Sequence, residues 1–150
     1  MARLTGPYTG FPGDSTRRTT TQELPLGTEV DGVGGSRWVY VKAGAAIAQY
    51  DACIFQGSAL GFDDVRPCGA VTNLILGVAD AAFDSGAYGF IQTKGVAKCK
   101  VKASDTAGLP LGGYTDAGTL TTVAETVPAG LKPIVALVTG VAAGSAVYLG

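Results

Sequence analysis

From Ala97 to Lys102 small or apolar residues (Ala97, Cys99, Val101) alternate with lysines (Lys98, Lys100, Lys102). Period two belongs to an extended strand, whose successive side chains point to opposite faces; a helix would scatter the lysines around its circumference. The alternation predicts Cys99 and Val101 in a core and the lysines on the other face. Upstream, Phe90, Gln92 and Lys94 alternate with Ile91 and Thr93, and Gly95 separates the two runs as a bulge or bend. Residues 88–103 are read as one long bent strand, or two joined at Gly95, at the centre of a β domain.

Shorter runs follow the same rule. Trp38, Tyr40 and Lys42 alternate with Val39 and Val41, a strand with one bulky and one β-branched face. Further strands are expected at 45–48, 52–56, 67–71, 75–79, 109–114, 120–124, 134–139 and 146–149, with 57–66 a polar loop carrying Asp63 and Asp64. The best helical candidate is 78–85, one or two turns long, a length that is marginal unless packed. Ala-Gly pairs at 43–44, 107–108 and 143–144 each precede an apolar run, as recurring turn chemistry does. Short strands at this spacing predict an all-β chain: a compact β-barrel, β-tulip-like or sandwich domain at 37–150 with an extended N-terminal arm at 1–36.

The arm differs from the rest in its Gly, Pro and Thr content and its few large aliphatics. So little apolar surface does not offset the entropy of ordering. The expectation is either a disordered tail or an arm that orders against a partner through Tyr8, Phe11, Arg17, Arg18, Leu24 and Leu26. Fully extended, it reaches on the order of 100 Å. Its removal is expected to leave a folded domain.

Composition narrows the function classes. Of 150 residues 23 are glycine, more than twice the usual share, and the formal net charge is −1. Near-neutrality gives no reason to expect a nucleic-acid binder. No apolar run reaches the ~20 residues of a membrane helix, and MARLTGPYTG lacks the apolar core of a signal peptide, so a soluble chain matured in the cytosol is expected. Cys53, Cys68 and Cys99 are odd in number and far apart, which suits buried thiols and neither a disulfide framework nor a zinc motif.

Histidine is absent, which removes the commonest general base and the preferred zinc ligand. Asp80 and Asp84 would be paired carboxylates on a helical face or simply a solvated connector; Asp63 and Asp64, with Asp51, would be a hard-cation site or ordinary loop aspartates. The glycines form no phosphate cradle, and Cys99 points away from the lysines that would activate it. No catalytic residue, cofactor or metal is expected. Lys98, Lys100 and Lys102 remain as the sharp surface feature: a solvated, aggregation-resistant strand face, or a match for an acidic protein surface. Without arginines or stacking aromatics they make a poor nucleic-acid site.

The succession Trp38-Val39-Tyr40-Val41-Lys42-Ala43-Gly44, then IAQYDACIF (47–55), then Leu76-Gly77-Val78-Ala79, then YGFIQTKGVA (88–97) and a closing Gly144-Ser145-Ala146-Val147-Tyr148-Leu149 resembles the small capsid decoration, or cement, proteins of tailed bacteriophages. The likeness covers 37–150. Tyr50-Asp51 stands where that family often has Gly-Asp. The resemblance implies a non-enzymatic β domain on the outside of an icosahedral head, assembled in the bacterial cytoplasm. Its partner would be the major capsid protein of the same phage, and it would be a homo-oligomer, a trimer or else a dimer. No membrane or nucleic acid is expected as a partner. Trp38 and Tyr40 are the candidate oligomer face. The competing expectation is a phage receptor- or carbohydrate-binding module, for which the same two rings would have to form an exposed platform.

Overall fold

The structure is a computed structural model that describes residues 3–4, 15–55, 61–69, 75–102, 110–113, 116–122, 134–136 and 145–149. Among these residues the regular structure is β, apart from one 3-10 turn at Val33–Gly35. The strands are β1 (Arg3–Leu4), β2 (Glu29–Asp31), β3 (Arg37–Lys42), β4 (Ala52–Phe55), β5 (Val65–Pro67), β6 (Gly77–Val78), β7 (Tyr88–Cys99), β8 (Pro110–Gly113), β9 (Leu120–Thr122), β10 (Ile134–Ala136) and β11 (Ser145–Leu149). They join into one sheet, antiparallel except where β1 lies parallel to β2.

Strand β7 is the axis of that sheet. It is 12 residues long and passes without a break through Gly95, whose φ of 92° lies in the region glycine tolerates. Up to Lys94 it pairs with β3, and from Gly95 onward with β11. Each half closes a circuit. In the first, β3 meets β5 through the Ala43–Val65 bridge, β5 pairs with β4, β4 with β6, and β6 returns to β7 at Gln92. In the second, β11 pairs with β10, β10 with β8 and β8 with β9. The continuation of β7 closes it, because Lys102 N donates to Leu120 O (2.7 Å) and Leu120 N to Lys100 O (2.9 Å). Closure leaves few open strand edges.

The inward residues of β7 feed both interiors. Ile91 packs with Val39, Val41, Ile47, Val65 and Phe83 in the first. Ala97 and Cys99 pack with Val101, Leu111, Leu120, Val147 and Leu149 in the second, so the predicted alternation is observed. Gly77 is needed where the circuits meet, because a Cβ there would overlap the backbone carbonyl of Gln92.

Several expectations change. The helix at 78–85 does not form: Ala79 exchanges hydrogen bonds with Tyr50 and Asp51, Ile47 and Phe83 bridge, and Ala87 N closes a turn on Asp84 O. The backbone groups of Ala79 and Phe83 find partners distant in sequence, which an isolated helical turn cannot match. Within 45–48 only Ile47 bridges, and the strand expected from Pro67 instead ends there, because Val65 and Arg66 pair with β4. The folded part also starts before Arg37. Residues 15–36 lie along the domain, with β2 added to the edge of β3. Their sparse apolar residues suffice because the surface they meet is preformed and aromatic.

Candidate protein-binding face

Tyr88, Phe90 and Gln92 lie on one face of β7, and the pairing with β3 shifts register between Gln92 and Lys94, so alternation does not carry this face through to Val96 and Lys98. The face before the shift is covered by the chain's own N-terminal segment. Leu24, Leu26 and Val30 pack on Trp38, Tyr40, Tyr88 and Phe90; Tyr40 meets Phe90 edge-on at 5.2 Å between centroids. Polar bonds tie the segment down: Glu23 N donates to the Tyr40 hydroxyl (3.0 Å), Gly27 N to Tyr40 O (2.8 Å) and Tyr40 N to Thr28 O (2.9 Å), while Thr19 and Tyr88 exchange backbone bonds. Arg18 anchors the segment's start. Its guanidinium lies 3.8 Å from the Phe83 ring centroid, pairs with Asp80 at 3.2 Å and donates to the carbonyls of Ala81 and Ser15. Ser15 Oγ also donates to Asp80.

Gln92 marks the end of this cover. It is buried, and its Nε2 donates to the carbonyls of Lys94 (2.9 Å) and Val96 (2.8 Å), holding the bend at Gly95. Beyond the register shift Val96 is 60% exposed and Tyr148, directly opposite on β11, is 45% exposed; two positions along, Lys98 stands opposite Ala146. A groove of about 360 Å³ runs beside them, walled by Tyr50, Asp80 and Gln92 and floored by Val78 and Ala97. Lys98 Nζ stands 6.0 Å from the Tyr50 ring centroid. Tyr50 is the one non-glycine residue with positive φ (68°) among the described residues, a conformation that costs about 1 kcal/mol or more and recurs at functional surfaces.

The predicted site residues separate into distinct roles. Lys98 is exposed on the open face, and Lys102 is exposed beyond the strand end. Lys100 is not part of a surface stripe: it binds the buried Asp51 carboxylate at 2.6 Å, which also accepts from Ala48 N at 2.8 Å. Arg17 is exposed and pairs with Glu23, whereas Arg18 is largely enclosed. Leu24 and Leu26 pack inward on their own domain, and Trp38 and Tyr40 are 9% and 3% exposed, so neither ring forms a platform or a free oligomer face. Tyr8 and Phe11 lie outside the described residues. Val96, Tyr148 and Tyr50 went unpredicted. Val96 had a signal, since it places an apolar residue between Lys94 and Lys98 on the face assigned to lysines; Tyr148 needed the β7–β11 register.

The acidic candidates are equally resolved. Asp64 is held by Arg66, Asp51 by Lys100 and Asp80 by Arg18, and among the described residues no group of acidic or cysteine side chains is placed to hold a metal. The three cysteines are buried and unpaired with one another. Burial pushes the Cys53 thiol well above its ordinary value, with the Asp51 charge adding to it; burial does the same to Cys99, against a smaller opposing pull from Lys100. Such thiols are inert.

Compared with known proteins, the sequence matches no family model and no curated protein.

Proposed function

We propose that this chain is a structural virion protein: a capsid decoration protein that binds the outside of a tailed-phage head, as a homo-oligomer, and stabilises contacts between major capsid proteins. The observation that carries the reading is the exposed patch where β7 meets β11. There Val96 and Tyr148 stand opposite one another with Lys98 beside them, a combination of apolar and charged side chains suited to a protein surface. The stretches that resemble decoration proteins include β7 and β11, the strands that carry this patch. Repeated copies on a lattice need only modest affinity at each contact, because multivalency multiplies it. The carbohydrate-binding alternative loses its support with the burial of Trp38 and Tyr40.

The test is co-sedimentation of the purified chain with heads of the same phage that lack it, beside the Tyr148→Ser/Val96→Ser double variant. Saturable binding to intact heads that the double variant loses is expected. Absence of binding to any head form overturns the proposal.

A further inference from the structure

The open β7–β11 face has an identifiable complement. Its groove is lined by Val78, Val96, Ala97 and Ala146 and has a cation at one side, Lys98. Among the described residues no carboxylate is paired with this lysine. The groove's own acid, Asp80, is already committed to Arg18 and Ser15. What remains for a ligand is apolar surface with positive charge beside it.

Val96 and Tyr148 stand directly opposite one another beside the groove and leave apolar surface exposed there.

We infer that the groove between Tyr50, Val96 and Lys98 receives an acidic segment of a partner protein, one that inserts an apolar or aromatic side chain and sets carboxylates beside Lys98. The apolar side chain would fill the space over Val78 and Ala97. The carboxylates would give orientation and ionic-strength dependence more than raw affinity. The inference rests on the shell-protein reading for the source of the segment and not for its chemistry.

The probe is a short acidic peptide with one central phenylalanine, titrated into the isotopically labelled full chain and followed by amide NMR shifts. Its controls replace the acids by amides or the phenylalanine by alanine. Shifts centred on Val96, Ala97, Lys98 and Ala146 are expected, weakening with added salt, with the amide peptide and in Lys98→Glu. The exposed Lys98 makes no ion pair the fold needs, so the variant spectrum should otherwise match the parent. Equal binding of acidic and amide peptides, shifts located elsewhere, or no shifts at millimolar peptide would overturn the inference. So would concentration-dependent shifts of the same residues without peptide, which would place a second copy of the chain in the groove. Peptide binding by a chain that ignores phage heads would keep the groove chemistry and remove the shell reading.

Discussion

At the scale of single residues, much of the chemistry in the chain is spent on holding the two circuits together. Asp51 is the clearest case: its carboxylate is 5% exposed, takes the Lys100 ammonium and the Ala48 amide, and sits against Gly118, where a Cβ would collide with it. Lys100→Ala leaves that carboxylate buried without its cation. Because the lysine itself is partly exposed, a loss of about 2–3 kcal/mol is expected by urea denaturation, below the range for fully buried pairs; an unchanged midpoint would show that water replaces the ammonium. The thiols give a pH dependence. With folded pKa values raised above the ordinary 9.0, Cys53 and Cys99 keep their protons in the fold while the unfolded chain loses them. Their contribution is fully present below about pH 8.5 and is lost as pH climbs toward the raised folded values, at up to ~1.4 kcal/mol per pH unit for each thiol. Denaturation under reducing conditions at pH 8 and pH 10 checks this, and equal stability at the two would contradict it. The inward direction of Cys99 was readable from alternation. The loss of Lys100 from the lysine stripe was not, since its partner lies 49 positions away.

At the scale of elements, sequence pattern reads well where one strand has two unlike faces and poorly where pairing is decided by a distant partner. Strand β3 stands where alternation put it; β7 begins at Tyr88 as expected but ends at Cys99 rather than 103, and its pairing with β3 shifts register between Gln92 and Lys94, just before Gly95 with its positive φ. The segment at 78–85 had a helical composition, yet its backbone groups are taken by Tyr50, Asp51 and Ile47. The N-terminal segment misled for a related reason. Its few apolar residues look insufficient in isolation, but each meets an aromatic already fixed on β3 or β7. Removal of 1–36 is therefore not neutral for the domain. Deletion of residues 1–14 removes β1 from the edge of β2 but none of the residues packed on Trp38, and should leave Trp38 emission unchanged. Deletion of 1–28 should uncover Tyr40, Tyr88 and Phe90, shift Trp38 emission to the red and cost ~3 kcal/mol or more from lost apolar burial. Fluorescence and melting of the two truncations decide this, and an unshifted spectrum in the longer deletion would show that the segment does not seal the face.

At the scale of the whole molecule, an all-β domain was legible in glycine content, short apolar runs and turn spacing. The two circuits sharing one strand were not, because closure depends on the Ala43–Val65 and Val101–Leu120 bridges, which leave no local mark. The same holds for the open face, which exists because β11 sets Tyr148 against Val96. That face is the basis for reading the chain as a part that fastens other proteins. A cryo-electron microscopy reconstruction of phage heads saturated with the purified protein tests that reading most directly. Density at repeated positions on the outer lattice is predicted, with Val96, Lys98 and Tyr148 against the shell. Bare heads at saturating protein, or bound copies with that face turned to solvent, would contradict it.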